Sequence, residues 1–217
     1  MGPLAVARCT VPHRPTRHLP AGTTGDEARG DGCCARARRG VYTKGTMAVT
    51  VIPLASPIGD KIAWVQKCIE ERGALLIRDP VVDGLLSRLE KLSLATREEL
   101  ARVGIMQECR VCEEEQGGSC CGAGIENRYE GIMLLINALM GVKLPRSRPS
   151  PESCYFLGGN GCLLRARHVL CVNYLCDRVT GSHTPSELAA LRDMEGEELD
   201  LILLLYDRIG KILPAMG

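Results

Sequence analysis

The sequence contains few aromatic residues. One Trp, one Phe and five Tyr amount to 3% of its 217 residues. Proteins that bind single-stranded nucleic acid stack bases on aromatic side chains, and this chain offers few such surfaces. Its net charge of +1 at pH 7 gives no basic excess to neutralise phosphates. We therefore expect no nucleic-acid partner.

The chain also lacks a long apolar run. No stretch reaches the roughly 18 uncharged apolar residues that a membrane-spanning helix needs. Residues 1–9 contain neither the basic start nor the apolar segment of a secretory signal. We therefore expect a cytoplasmic protein without a membrane partner. In a reducing cytoplasm, clustered Cys are typical of metal ligands or redox groups rather than of disulfides.

Residues 1–46 differ from the rest of the chain. They carry eight basic and three acidic side chains and show no periodic apolar face. Such a composition does not offset the entropy of ordering, so the sequence predicts a disordered leader. The abrupt change at Met47 raises a second hypothesis, in which translation starts there and residues 1–46 are not translated. Cys9, Cys33 and Cys34 lie in this segment and are not counted as ligands.

From residue 47 onward, apolar residues recur at helical spacing and predict one mainly α domain over 47–217. The stripe from Ile58 to Ile69 predicts a helix over 59–72 that Gly73 ends, with Cys68 as a small buried hydrophobe beside it. Asp79-Pro80 is typical of a helix start, with Asp as the N-cap. Thr96 and Glu99 match a capping box that would open a further helix.

Three later signals complete the predicted helices. Apolar residues from Tyr129 to Met140 predict a helix that stops near Gly141. Thr184 and Glu187 form a second capping box with Pro between them. Gly196 is then expected to interrupt the helix before a last amphipathic segment over 199–212. No alternating strand pattern is long enough to build a sheet.

Twelve Cys in 217 residues is the unusual feature of the composition. Eight of them form two groups in the region 109–176, surrounded by glycines that allow tight turns. The first group is Cys109, Cys112, Cys120 and Cys121, with Gly117, Gly118, Gly122 and Gly124; the second is Cys154, Cys162, Cys171 and Cys176, with Gly158, Gly159 and Gly161. The sequence therefore predicts glycine-rich, Cys-bearing loops around a metal site.

Thiolates are ligands for zinc and for iron–sulfur clusters alike. Two groups of four Cys could supply two tetrahedral zinc sites, and they suit iron–sulfur clusters equally well. The side chains of adjacent residues diverge, so Cys120 and Cys121 fit a larger cluster or two separate centres better than one zinc ion. Spacing along the chain does not decide whether ligands from the two groups mix.

The arrangement resembles the YkgJ-type, or CxxCxxCC-type, family of zinc- or iron-chelating cysteine-cluster proteins. The resemblance covers about residues 109–176. Its first part is Cys109-x2-Cys112 with the Cys120-Cys121 pair, its middle part is Cys154-Tyr-Phe-Leu157 with Gly161-Cys162, and its last part is Arg167-His168-x2-Cys171 with Cys176. The resemblance implies that all eight Cys bind metal.

Two departures from the family pattern concern the ligands. The spacing between Cys112 and Cys120 is longer than in the compact form of the motif, so the first loop is expected to be wider. His168 stands where the family has Pro, which places a nitrogen donor three residues before Cys171. We expect a solvent-facing or hydrogen-bonded His there, and we expect Arg165 and Arg167 to offset the charge of the thiolates.

Three functions follow from this pattern. The first is an iron–sulfur protein that acts in electron transfer or as a redox accessory, with a protein redox partner. The second is a structural zinc module whose helices bind another protein. The third is a metal-dependent enzyme related to methyl-transfer proteins, although no catalytic residue is assigned. The sequence leaves the oligomeric state open.

Overall fold

A computed structural model of the chain describes residues 50–115 and 120–216; the predictions for residues 1–46 lie outside these ranges. The described part is mainly α-helical, which confirms the predicted fold class. Its helices are α1 (Ile58–Arg78), α2 (Pro80–Arg102), α3 (Ile105–Glu115), α4 (Gly131–Leu139), α5 (Val169–Asn173), α6 (Asp177–Ser182) and α7 (Pro185–Ile212). Two-residue strands β1 (Leu157–Gly158) and β2 (Gly161–Cys162) pair in antiparallel register, and 3₁₀ turns cover Ile125–Arg128 and Pro214–Met216.

Four helices build the main core. Helix α2 packs along α7, α1 packs against α4, and α4 also contacts α7. The side chains between them are apolar and fully buried, and each contributes roughly 1.5–3 kcal/mol by leaving water. Those with no measurable exposure include Leu76, Val82, Leu89, Leu134, Leu135, Leu205 and Ile209. Cys68 of α1 is 1% exposed in this core, as its predicted role as a small hydrophobe requires.

Two of the three predicted N-caps are confirmed. The Asp79 carboxylate accepts hydrogen bonds from the backbone N–H groups of Val81 and Val82, at 3.1 Å each. It also forms an ion pair with Arg208 of α7 at 2.5 Å, which ties the start of α2 to the last helix. Thr184 and Glu187 form a full capping box at the start of α7. Both caps satisfy N–H groups that have no partner within the helix.

Three predicted helix boundaries are wrong. Helix α1 continues through Gly73 to Arg78, because the next turn buries Leu76 completely. Thr96 does not open a helix; it lies inside α2, where its hydroxyl donates to the carbonyl of Leu92 at 3.1 Å. Helix α7 continues through Gly196. In each case the burial of an apolar face outweighs the local signal, since Gly costs only about 1 kcal/mol inside a helix and Thr costs less.

A buried lysine orients the turn before α4. Lys61 of α1 has no exposed surface, and its ammonium group donates to the carbonyls of Asn127 and Tyr129 at 3.1 and 2.9 Å. Burial lowers the pKa of Lys61, while the nearby Glu130 carboxylate raises it. The two hydrogen bonds fix the 3₁₀ turn to α1 and so determine where Tyr129 enters the core.

Charged residues interrupt the apolar residues of the longest helix. Helix α7 carries Asp200, Asp207 and Arg208 among its leucines and isoleucines. Across 50–115 and 120–216, none of the helices combines the length and the apolar character that crossing a membrane would require.

The continuity of α7 yields a stability prediction. Gly196 is exposed and helical, and an added Cβ would meet no atom within 4 Å. Gly196→Ala is therefore expected to raise the free energy of unfolding by about 0.5–1 kcal/mol, through helix propensity alone. Urea denaturation followed by far-UV circular dichroism measures this change. Gly84→Ala, at an equally open position of α2, is the matched control. A loss of stability at Gly196 alone would mean that α7 breaks there.

Candidate metal centre

The eight predicted ligands come from separate parts of the chain. Cys109 and Cys112 lie three residues apart on α3, so they face the same side of that helix. Cys120 and Cys121 precede the 3₁₀ turn, Cys154 precedes β1, Cys162 lies in β2, Cys171 lies in α5, and Cys176 is the N-cap residue of α6. The prediction that all eight lie outside helices is wrong for Cys109, Cys112 and Cys171.

Two polar contacts connect α3 to the later segments. Glu108 of α3 pairs with Arg178 of α6, with 2.5 Å between Oε2 and Nε. Glu113 of α3 accepts a hydrogen bond from the Ser153 hydroxyl at 2.6 Å. These contacts hold α3 against both the start of α6 and the residue before Cys154.

The backbone brings Cys121 beside Cys154. The N–H of Cys154 donates to the carbonyl of Cys121 at 2.6 Å, and the N–H of Ala123 donates to the carbonyl of Glu152 at 2.8 Å. Gly122 and Ser153 form an isolated antiparallel bridge between these two bonds. Residues 33 positions apart in the chain therefore become neighbours through a short ladder rather than through a sheet.

The hairpin supplies backbone donors to two sulfurs. Leu157 pairs with Cys162 across the two strands, and Gly161 takes a φ of +88° at the turn, a value that glycine adopts readily. Burial raises the pKa of Cys154 and Cys162, and the backbone N–H groups of Phe156 and Leu164, which hydrogen-bond these thiols, act against that rise. Donors of this kind stabilise the charged form of a ligand.

Side chains from the helical core hold the segment that follows the hairpin. Arg97 of α2 donates to the carbonyls of Cys162 and Leu164 at 2.6 and 2.7 Å. Asn137 of α4 accepts from the backbone N–H groups of Arg165 and Ala166 and donates to the carbonyl of Ala166, at 2.8 to 3.0 Å. The position of this segment is thus set by α2 and α4.

Tyr129 connects the core to Cys171. Its hydroxyl accepts the backbone N–H of His168 at 2.9 Å and donates to the Cys171 sulfur at 3.8 Å. The ring is 1% exposed and meets the rings of Phe156 and His168 edge to face. Burial raises the pKa of Tyr129, so its hydroxyl keeps the proton that it donates.

The Cys thiols influence one another electrostatically. The pKa of Cys109 is raised to about 11, first by desolvation and then by Cys121, Cys176 and Cys112. Desolvation and neighbouring thiols also raise the pKa of Cys154 to about 12 and that of Cys162 to about 11. The pKa of Cys120 is raised, first by its hydrogen bond with Cys121, so these adjacent side chains meet and do not diverge as the sequence predicts. All eight Cys therefore lie in one connected region.

The donor set fits a thiophilic metal in type and number, because soft sulfur ligands suit zinc and iron–sulfur clusters. Within 50–115 and 120–216, however, no three Cys, His, Asp or Glu side chains are placed as ligands of a single ion. Metal binding at these residues would therefore include rotation of thiol side chains that the backbone has already brought close.

Arg165, Arg167 and His168 have different roles. Arg167 acts to lower the pKa of Cys162 and Cys171, as the sequence predicts, and it is held by Glu195 at 3.3 Å. Arg165 forms an ion pair with Glu90 of α2 instead. The Nδ1 atom of His168 accepts the N–H of Leu170 at 3.1 Å and caps α5, which is the hydrogen-bonded role expected for it.

Sequence reasoning missed three residues that shape this region. Arg97 and Arg178 lie on helices, where their charges look like solvated surface, and Tyr129 looks like ordinary core. Their roles depend on partners 42 to 70 residues away, such as Cys171 for Tyr129 and Glu108 for Arg178. Spacing along the chain carries no signal for contacts of that kind.

Comparison with known proteins gives no further assignment. The chain matches no protein-family model, no curated protein and no solved structure. The resemblance to the YkgJ-type family stays a prediction that depends on the eight Cys and their spacing.

The Tyr129 hydroxyl yields a second stability prediction. Tyr129→Phe keeps the ring contacts but leaves the partly buried N–H of His168 without its acceptor. We expect a loss of about 1–3 kcal/mol in the free energy of unfolding, the usual cost of an unsatisfied buried group. Tyr206→Phe is the matched control, because its hydroxyl bonds the Glu130 carboxylate at a less buried position. Equal losses in the two variants, measured by urea denaturation, would contradict this role of Tyr129.

Proposed function

We propose that this protein binds metal through Cys109, Cys112, Cys120, Cys121, Cys154, Cys162, Cys171 and Cys176, as an iron–sulfur protein in electron transfer or as a redox accessory. The convergence of these eight thiols from five separate segments supports the proposal. Thiols without a bound metal gain little energy from contact with one another, so packing alone does not explain why eight of them lie together. A bound metal would supply one-electron chemistry, and the chain supplies the ligands and their surroundings.

The anchoring of the loops favours a redox role over a structural one. A structural zinc site contributes folding energy to a segment that cannot hold itself. Here Arg97, Asn137 and Tyr129 fix the residues around Cys162 and Cys171 through hydrogen bonds to the helical core. The core between α1, α2, α4 and α7 is itself made of aliphatic side chains. The fold therefore has less need of metal as a support.

The surroundings of the thiols supply the means by which proteins adjust a cluster's potential. Hydrogen bonds to sulfur, nearby charge and solvent exposure all act on that potential. Cys171 receives the Tyr129 hydroxyl, Cys154 receives a backbone N–H, and Arg167 acts on Cys162. These groups favour the charged sulfur and so act against the desolvation that raises the pKa of all three thiols.

A protein redox partner would have access to this region. Cys109 and Cys120 are exposed, and the exposed apolar side chains of Val169 and Leu170 lie beside Cys171 on α5. Apolar residues around a partly exposed centre suit a transient partner, since such contacts are small and form without deep burial.

The composition of the bound metal tests the iron–sulfur assignment. Protein purified without oxygen is expected to contain iron and acid-labile sulfide and to absorb visible light as iron–sulfur clusters do. A colourless protein with stoichiometric zinc and neither iron nor sulfide would replace this assignment with the structural zinc module. A protein that binds neither metal would refute metal binding altogether.

A pair of serine variants tests the assignment of ligands. Cys120→Ser is expected to lower the metal content per chain, because it removes a proposed ligand. Cys68→Ser is the control, since Cys68 lies in the apolar core between helices, where burial raises its pKa to about 11. Its metal content should equal that of the wild type when both folded proteins are analysed by mass spectrometry. Equal metal loss in the two variants would contradict the ligand set.

A further inference from the structure

We infer that the eight Cys form two centres whose ligands do not follow the order of the chain. The inner set is Cys121, Cys154, Cys162 and Cys171, and the outer set is Cys109, Cys112, Cys120 and Cys176. This division rests on the proposed metal binding and adds to it the membership of each centre. Grouping by chain order would place Cys121 with the earlier Cys and Cys176 with the later ones. In this division the two exchange places.

Packing separates the two sets. All four residues of the inner set belong to the main core or pack against it. Cys176 packs instead against a second, smaller core made of Leu100, Ile105, Val179 and Leu191. That second core joins the end of α2 and the start of α3 to α6 and α7. Cys171 and Cys176 are five positions apart in the chain, yet they face different cores.

Backbone and side-chain contacts hold the inner set together. The 2.6 Å hydrogen bond from Cys154 to Cys121 connects its first two members. The hairpin joins Cys154 to Cys162, since the N–H of Leu157 donates to the Cys154 carbonyl and Leu157 pairs with Cys162. Tyr129 meets Phe156 of the hairpin and donates to the Cys171 sulfur. Cys121, Cys154 and Cys162 are thus joined through the backbone, and Cys171 is joined to the hairpin through Tyr129.

The contact between α3 and α6 holds the outer set together. Cys109 and Cys112 follow Glu108 by one and four positions on α3, and Cys176 is the N-cap residue of α6, two positions before Arg178. The Glu108–Arg178 ion pair therefore brings the Cys-bearing parts of the two helices together. Cys120, like Cys109, is exposed, whereas the inner set lies on the main core.

Cys121 lies at the junction between the sets. Its side chain forms a hydrogen bond with the Cys120 thiol, while its backbone carbonyl accepts the N–H of Cys154. Its packing on the main core and its bond to Cys154 assign it to the inner set. With Cys121 there, each set has four thiols, the number that a tetrahedral zinc ion or one iron–sulfur cluster takes.

The two sets also differ in surroundings. The outer set includes the exposed residues Cys109 and Cys120 and borders the Glu108 carboxylate. The inner set includes the buried Cys154 and lies near the Arg97 and Arg167 guanidinium groups. Solvent and chelators therefore reach the outer set more readily than the inner one.

Two double variants that share Cys176→Ser test the division. C109S/C176S removes two ligands of the outer set and is expected to keep the inner centre, with roughly half of the wild-type metal per chain. C171S/C176S removes one ligand from each set and is expected to lose nearly all of it. Grouping by chain order predicts the reverse result for each variant. Metal is counted by mass spectrometry on protein purified without oxygen.

Controls keep the outcomes distinct. Far-UV circular dichroism identifies any variant that fails to fold, and the same pairs made with Ala in place of Ser replace such a variant. If the wild type binds metal and the C171S/C176S variant keeps half of that metal, this division is wrong and the proposed metal binding stands. Nearly complete loss in both double variants would point to one shared centre and overturn it as well. A metal-free wild type would overturn the proposed function, and this division with it.

The difference in exposure gives an independent test. Bathophenanthroline and ethylenediaminetetraacetate are expected to remove metal from the wild type in two phases, a fast one from the outer set and a slow one from the inner set. C109S/C176S should lack the fast phase. A single phase in the wild type, or a fast phase that persists in this variant, would contradict two centres of unequal exposure.

Discussion

The buried amide of Asn137 fixes the segment that follows the hairpin to the helical core. Its oxygen accepts two backbone N–H groups from residues 165 and 166, and its nitrogen donates to the carbonyls of Met133 and Ala166. The side chain has no exposed surface, so each bond is made where water cannot replace it. A lost partner at such a site costs about 1–3 kcal/mol, which explains why the segment has one position.

The rest of the candidate site depends on that anchor. Arg97 of α2 also holds the carbonyls of Cys162 and Leu164, and the segment then leads to Cys171 and the Tyr129 hydroxyl. Helices with an aliphatic core thus determine where loops of little regular structure place their thiols. This division of labour is typical of functional sites, where a rigid core positions irregular segments.

Local chemistry explains which parts of the fold were predictable. Asp79 and Thr184 cap helices through contacts within three residues, so their signals are complete in the sequence. Gly73, Thr96 and Gly196 misled the prediction, because a weak local preference for a break competes there with apolar burial along a whole helix. That burial involves residues on other helices, which lie far from the glycine or threonine in the sequence.

The candidate site was likewise predictable only in part. Residue type and clustering are sufficient to select the eight Cys, and an arginine beside Cys162 is predictable from its neighbourhood in the chain. The neighbours of Cys121 and Cys176 are not, because the ladder at Ser153 and the Glu108–Arg178 pair join segments 31 to 70 residues apart. Spacing groups Cys176 with Cys171, whereas the packing of α6 turns it toward α3.

The adjacency of Cys120 and Cys121 has a mechanical consequence in the proposed arrangement. One peptide bond would join a ligand of each centre, and its two Cα atoms lie about 3.8 Å apart when the bond is trans. Because that bond resists rotation, a shift of one sulfur changes the torsion angles available to the other. Loss of metal on the surface side would release the backbone just before Cys121, while Cys154, Cys162 and Cys171 keep their contacts with the core.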